Sequence, residues 1–170
     1  MFRKLIIGND HCGVETKKLI VSYLKEKGYE VVNAGSDENQ IVRYPYYAAK
    51  VAGAVSCGEA DGGILVCATG IGMSIVANKF KGVRASVCTS HYMAKMTRRH
   101  NNSNVLCLGG KITGPFEILD ILQAWLENEY EGGRHEISLS MLQQGEERLL
   151  NDSIWQPEKD LMSSDRDIQG

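Results

Sequence analysis

The stretch Ile64-Leu65-Val66-Cys67-Ala68-Thr69-Gly70-Ile71-Gly72-Met73-Ser74 decides the fold of this chain. Its first residues form an apolar run, which predicts a strand that is covered on both faces, as strands of a parallel sheet are. The glycines that follow predict a tight turn that opens a helix. This strand, turn and helix indicate an α/β protein with reactive side chains where a parallel sheet binds its ligands.

The pattern of the whole chain agrees with that stretch, because short apolar runs alternate with segments of helical period. Strands are predicted at 5–8, 30–33, 64–67, 85–88 and 105–108, and helices at 15–27, 45–57, 72–79, 90–99, 115–128 and 136–150. Gly28 suits a helix C-cap, while Pro45 and Pro115 suit first helical turns. We expect one domain over residues 1–150, and interpret the polar residues 151–170 as a tail or as an arm that packs on a neighbouring subunit.

The composition is that of an ordinary globular domain. Of the 170 residues, 43% are hydrophobic and 24% charged, with a formal net charge of −2. Such a chain lacks the basic surface of a nucleic-acid-binding protein and the charge pattern of a membrane-surface protein. The N-terminal apolar run is too short for a signal peptide or a membrane span, so we expect a cytoplasmic protein.

The five cysteines are odd in number, and no two of them have the close C-x-x-C spacing of a redox or metal site. A disulfide framework and a metal site are therefore not expected. We interpret Cys88 and Cys107 as small core side chains in strands, and Cys57 as a packing residue at a helix end.

Cys67 and Thr69 give the central turn its chemical interest. A thiol at the end of a strand that faces a helix N-terminus has its thiolate favoured by the helix dipole and by nearby N–H groups. Such a thiol serves either as a general base or as a nucleophile. The pair Gly70-x-Gly72 is a weak signal alone, and it is not the dinucleotide fingerprint because no third glycine follows.

Two histidines are further candidates. Asp10 and His11 directly follow the first strand and are predicted to point into the same crevice, although an Asp that caps the next helix beside a surface histidine explains them equally well. His100 follows the fourth predicted helix, and it is either part of a basic helix end or an acid/base group beside Asn101.

Two more residues are candidates for binding rather than catalysis. Tyr44 either walls a sugar pocket with its ring or packs at the start of a helix. Arg134 follows two glycines, which suits a phosphate clamp, although a lone arginine is commonly just solvated.

In these residues and in several further motifs, the chain resembles the ribose-5-phosphate isomerase B family, which also contains the two subunits of galactose-6-phosphate isomerase. The resemblance extends from about Lys4 to Leu142. It rests on the following motifs: Asn9-Asp10-His11-Cys12-Gly13, Tyr44-Pro45, Gly58-Glu59-Ala60-Asp61, Cys67 to Ser74, Ala77-Asn78-Lys79, Arg99-His100-Asn101, Asn104-Val105-Leu106 and Gly132-Gly133-Arg134-His135.

The resemblance implies a three-layer α/β/α sandwich with a five-stranded parallel, Rossmann-like sheet. It also implies aldose–ketose isomerisation of a sugar phosphate, without a metal or an organic cofactor. Cys67 would be the base that moves a proton between C1 and C2 through a cis-enediolate. Thr69 and the backbone amides from Gly70 to Gly72 would stabilise the developing oxyanion. His100, together with Asp10, would open the sugar ring.

The same resemblance implies how the rest of the sugar is held. His11 and Arg134 would bind the phosphate, and Asn101 would contact the sugar. Two subunits share each site in this family, with the segment that holds the ring-opening histidine supplied by the partner. We therefore expect a homodimer, possibly a tetramer, and a small-molecule sugar phosphate as substrate.

The chain departs from the family pattern mainly around the substrate. Lys111 stands where a loop arginine is usual, and Ser138 stands where an arginine is expected four residues after Arg134, so the phosphate should be held more weakly or differently. Further departures are Arg43 for an Asp before Tyr-Pro, Ala68 for the glycine after the cysteine, and Arg99 for an acidic residue before the histidine.

Two interpretations of these departures remain open. Arg43, Arg98 or Arg99 supplies the positive charge from another direction, which keeps a sugar phosphate but changes its length or stereochemistry, as in allose 6-phosphate, galactose 6-phosphate or a tetrose phosphate. Alternatively, the chain is a non-catalytic subunit of a hetero-oligomeric isomerase. The presence of Cys67 favours a competent site, with ribose 5-phosphate as the leading substrate. On the fold alone, a nucleotide-binding module on a flavodoxin-like sheet would be the best hypothesis.

Overall fold

The computed structural model describes residues 2–38 and 40–150, apart from the side chain of residue 150. Five strands run through the first part of the chain: β1 (Lys4–Asn9), β2 (Glu30–Asn33), β3 (Gly62–Cys67), β4 (Ala85–Val87) and β5 (Val105–Gly109). Six helices accompany them: α1 (Val14–Glu26), α2 (Tyr44–Ser56), α3 (Ile71–Ala77), α4 (His91–Asn101), α5 (Pro115–Glu127) and α6 (Arg134–Leu150).

The strands form one parallel sheet in the order β2-β1-β3-β5-β4. The predicted α/β class and five-stranded parallel sheet are therefore confirmed. In the register of the central strands, Ile7 pairs with Ile64 and Leu65 pairs with Cys107. Because all the strands run the same way, their carboxyl ends share one edge of the sheet, where ligands of open α/β sheets bind.

The core consists of two apolar clusters, one on each face of the sheet. Ile64 and Val66 belong to the cluster that contains buried residues of α1, α4 and α5, whereas Leu65 and Cys67 belong to the cluster that contains those of α2 and α3. Successive residues of β3 thus face opposite helical layers, so that every residue of this strand is buried. This arrangement is the predicted three-layer sandwich.

The residues that were expected at the ends of the helices are found there. Gly28 has a φ of +84° just after α1, and proline occupies the first turns of α2 and α5. The fourth helix differs from the prediction. It extends to Asn101 and ends where Asn102 adopts a left-handed φ of +47°, so the last turn of α4 contains His100 and Asn101, which were expected to follow the helix.

The chain divides into two compact units, Met1–Tyr130 and Glu131–Gly170. The first contains the sheet and α1 to α5, and the second contains α6. The predicted single domain over residues 1–150 stays a prediction, and the proposed tail at 151–170 lies outside the described residues. None of the helices in the described part of the chain has the length and apolar character needed to cross a membrane.

Candidate functional site

The end of β3 holds the sulfur of Cys67 inside a turn of backbone donors. The side chain is nearly buried, at 6% exposure, and its Sγ accepts a hydrogen bond from the N–H of Gly70 over 3.1 Å. Gly70 adopts a left-handed φ of +80°, which turns its N–H back toward the strand end. Thr69 Oγ1 accepts a weaker contact from the N–H of Ile71 at 3.4 Å. A thiolate formed here would therefore meet a backbone donor.

The loop after β5 is fastened to this turn. The N–H of Gly110 donates to the carbonyl of Cys67 at 2.8 Å, and the N–H of Lys111 donates to the carbonyl of Ala68 at 3.1 Å. A Cβ at Gly109 would lie 3.2 Å from the Cα of Thr69, so a larger residue would push the two segments apart by a few tenths of an ångström. These bonds place Lys111 beside the turn that holds Cys67, and its predicted role in substrate binding stays a prediction.

The loop after β1 completes the same crevice. The N–H of Asp10 donates to the carbonyl of Val66 at 3.2 Å, which brings Asp10 beside the end of β3. The carboxylate is nearly buried, and its Oδ1 accepts the N–H of Cys12 at 2.8 Å. Asp10 is therefore not an N-cap, since α1 begins after Gly13 and has no side-chain cap.

Cys12 is a member of the site that sequence reasoning missed as a separate candidate. Its thiol pKa is raised, first by burial and then by the carboxylate of Asp10 and by Cys67, while Lys111 lowers it. These influences place Cys12 among three residues that the sequence singled out. Its position between Asp10 and the helix start was the available signal, because the loop after the first strand must lie at the sheet's carboxyl edge.

His11 and Tyr44 are held near this edge of the sheet by contacts with Val42 and Gly72 respectively. His11 Nδ1 accepts the N–H of Val42 at 3.4 Å, so the neutral ring carries its proton on Nε2. The ring of Tyr44 is packed so closely on Gly72 that a Cβ there would lie 2.9 Å from it. Tyr44 is 40% exposed, so its ring packs on the turn at one side and faces solvent at the other.

One group of potential metal ligands lies near Cys67 among the described residues of the first unit. Asp10, His11 and Cys12 each offer a ligand atom, and these atoms lie within 4.8 Å of one another. Asp10 and His11 already accept backbone N–H groups, from Cys12 and Val42 respectively. The expectation that the site uses no metal stays a prediction.

His100 and Asn101 are not brought to Cys67 within one chain. Cys67 pairs with Gly109 at the carboxyl end of β5, whereas α4 returns to the amino end of β5. The five residues of β5 span about 17 Å, beyond the reach of an imidazole. Asn101 instead lines a groove of about 410 Å³ along β4 and α4, with Tyr92 and Met96 among its neighbours.

Two arginines that the sequence suggests for the substrate end, Arg134 and Arg98, have different surroundings in the structure. Arg134 is the first residue of α6, in the second unit, and its binding role stays a prediction. The hypothesis that Arg98 supplies charge to the substrate is wrong. Its guanidinium is buried, donates to the carbonyl of Ser103 and stacks 4.5 Å from the ring centroid of Phe2, so it stabilises the fold instead.

Comparison with known proteins gives one consistent result. A family model described as Ribose/Galactose Isomerase matches residues 5–142. Ribose-5-phosphate isomerase B of Escherichia coli strain K12 is 48% identical over 134 residues, which cover 79% of this chain and 90% of that protein. D-erythrulose-4-phosphate isomerase of Pectobacterium atrosepticum is 42% identical over 132 residues, covering 76% of this chain and 86% of that protein.

The solved structures agree with these relatives. Ribose-5-phosphate isomerase B of Clostridium thermocellum superposes with a TM-score of 0.84 at 46% identity, covering 86% of this chain and 99% of that chain. The matched region contains the sheet and the turn around Cys67. The chain therefore belongs to the ribose/galactose isomerase family and is an aldose–ketose isomerase of sugar phosphates.

Proposed function

We propose that this protein interconverts ribose 5-phosphate and ribulose 5-phosphate, with Cys67 as the base. The observation that carries the proposal is the position of Cys67 Sγ, nearly buried at the end of β3 and bonded to the N–H of Gly70 at 3.1 Å. A base for this reaction takes the proton from C2 of the open-chain aldose and returns it to C1. In this proposal, the N–H groups of the same turn stabilise the charge that develops on the enediolate oxygen.

The roles proposed for the other residues divide between the two ends of the sugar. Thr69 and the amides of Gly70 and Gly72 face the enediolate. Asp10, together with a histidine, moves the proton of the anomeric hydroxyl so that the ring opens. His11 offers its Nε2–H to the phosphate.

At the phosphate end, Lys111 adds a positive charge beside the crevice, and Arg134 is proposed as a further ligand. A lysine presents a point charge where an arginine would present a planar fork, so it constrains the phosphate orientation less. Tyr44 walls the crevice over Gly72. This arrangement supports a phosphorylated substrate.

The base is tested by comparing wild type with Cys67→Ala on ribose 5-phosphate, erythrose 4-phosphate, allose 6-phosphate and galactose 6-phosphate. Loss of a general base lowers kcat by about 10²- to 10⁴-fold. Cys57→Ala is the matched control, because Cys57 is exposed at the end of α2. Equal activity of Cys67→Ala and wild type would remove Cys67 as the base. Absence of turnover by the purified wild-type protein on every sugar would favour a non-catalytic subunit.

We further propose that each site is shared between two copies of the chain. The supporting observation is that α4 carries His100 to the sheet edge opposite Cys67. A second copy would supply His100 and Asn101 to the crevice of the first, which makes a symmetric homodimer the simplest assembly.

Mixing two inactive variants tests the shared site. In a dimer of Cys67→Ala and His100→Ala chains, one site carries both changes and the other carries neither. Random exchange of subunits should therefore restore roughly a quarter of the wild-type activity, since half of the dimers are mixed and each has one intact site. Sites contained within one chain would show no recovery after exchange.

A further inference from the structure

Lys17 is a buried cation that the proposed chemistry does not use. It lies in α1 with 1% exposure. An ammonium is expensive to bury unless it is paired and hydrogen-bonded. Its Nζ donates to the carbonyl oxygen of Ser36 at 2.5 Å and to Oδ1 of Asp37 at 2.6 Å. The ammonium therefore anchors the first part of the connection between β2 and α2, whose described residues 34–38 and 40–43 we call the β2–α2 loop.

The anchored part of this loop is joined to the backbone of the site. Ser36 is buried, its N–H donates to the carbonyl of Asn9 at 3.2 Å, and its carbonyl also accepts Nδ2 of Asn9 at 3.1 Å. The same Nδ2 donates to the carbonyl of Asp10 at 2.7 Å. The carbonyl of Ser36 thus lies between Lys17 and the residue that precedes Asp10.

The β2–α2 loop is also pressed directly on Asn9. A Cβ at Gly35 would lie 2.0 Å from Oδ1 of Asn9, so no other residue fits there without a shift of the loop. Asp37, the second acceptor of Lys17, is itself held by Nδ2 of Asn33 at 3.0 Å. Removal of the ammonium would leave two acceptors without their shared donor.

The other end of the same loop contacts His11. The N–H of Val42 donates to Nδ1 of His11 at 3.4 Å, and this contact selects the tautomer that carries its proton on Nε2. Only the Nε2–H tautomer leaves the ring a donor on that nitrogen for an anion. Val42 belongs to the end of the loop that leads into Arg43, the N-cap of α2, and Lys17 holds the other end at Ser36 and Asp37.

We propose that Lys17 is a positioning residue for His11. Its ammonium holds the β2–α2 loop so that Val42 keeps the His11 proton on Nε2, ready for the substrate phosphate. The inference rests on the proposed function, in which His11 binds phosphate. Asp10 is held by the same network through Asn9.

The first test reads the tautomer without any need for catalysis. Ring ¹⁵N chemical shifts are recorded at about pH 8, where an ordinary imidazole is neutral. The His11 signals are assigned by comparison with His11→Gln. We expect an Nε2–H tautomer in wild type and a mixture of tautomers in Lys17→Met. Lys18→Met is the matched control, because the neighbouring Lys18 is exposed and pairs with Glu15. It should leave the His11 signals unchanged.

The second test reads phosphate binding. In Lys17→Met, the KM for the sugar phosphate and the inhibition constant of inorganic phosphate should both rise about tenfold, the equivalent of one charge-assisted hydrogen bond. The kcat should change much less, and Lys17→Arg should recover part of the loss. A lower Tm with unchanged KM and unchanged His11 signals would show a merely structural role and overturn the proposal.

A weaker variant covers the case in which Lys17→Met does not fold. Asp37→Asn keeps Lys17 and its bond to the Ser36 carbonyl, and should raise both constants by a smaller factor. Wild type with the Nδ1–H tautomer would refute the inference directly. If wild type turns over no sugar phosphate, the proposed function fails, while titration of the His11 signals with inorganic phosphate still decides whether Lys17 prepares this ring for an anion.

Discussion

Replacing Gly70 with alanine tests the turn that presents a backbone donor to Cys67. Gly70 has a φ of +80°, a conformation that costs an alanine about 1–2 kcal/mol. The new Cβ would also lie 3.1 Å from two backbone atoms of Leu108. Because that backbone belongs to β5 and cannot easily move, overpacking adds about 1–3 kcal/mol. The free energy of unfolding should therefore fall by about 2–5 kcal/mol in total.

Gly28→Ala separates the two contributions. Gly28 has a similar φ of +84°, but no atom lies within 4 Å of an added Cβ. This variant should lose only the conformational part, about 1–2 kcal/mol. Urea denaturation of wild type and both variants at 25 °C measures the difference. Equal losses in the two variants would refute the argued contact between the turn and β5.

The same two variants also test whether the N–H of Gly70 contributes to catalysis. A shift of the Gly70 backbone would move its N–H from the Cys67 sulfur, so kcat of Gly70→Ala should fall, whereas Gly28 lies after α1 and its variant should retain wild-type kcat. The activities are compared under conditions in which both variants are fully folded. Unchanged kcat in Gly70→Ala would show that this donor does not assist the base.

Three further predictions follow from individual contacts. Iodoacetamide should label exposed Cys57 first and spare Cys88, because burial raises the pKa of the Cys88 thiol to about 12; peptide mass spectrometry gives the order. Backbone N–H groups of Lys4 and Arg3 lower the pKa of Asp61, so its stabilisation is present above the ordinary carboxyl pKa and is lost as pH falls through the lowered value. The stability difference between wild type and Asp61→Asn should thus narrow between pH 7 and about pH 3 in urea titrations. Arg98→Lys should lower the free energy of unfolding by about 1–3 kcal/mol through loss of planar stacking and bonding, and an unchanged urea midpoint would contradict this.

The strands and most helices were predictable because their signals are local. The apolar run before Cys67, the prolines of α2 and α5 and the glycine after α1 each mark an element through residues close in sequence. The end of α4 was misplaced by two residues, because it depends on Asn102 adopting a left-handed conformation, which asparagine permits but does not require.

The site was predictable in part for a similar reason. Asp10, His11, Thr69 and Lys111 follow strands of one parallel sheet, so their proximity to Cys67 follows from topology. His100 could not be placed in this way, because it ends a helix at the opposite edge.

The α/β class, the parallel sheet and the loops at its carboxyl edge were already encoded in the sequence, since they follow from periodicity, turn residues and chain direction. The partners that allow a lysine charge to be buried in α1 were decided by the tertiary structure alone. Lys17 shares a face of α1 with the buried Val14 and Ile20, and Ser36 and Asp37 pair its charge there, whereas Lys18 faces solvent beside Glu15. The reason is physical: the burial of a charge is decided by partners distant in sequence, and these meet only when the sheet and its loops have assembled.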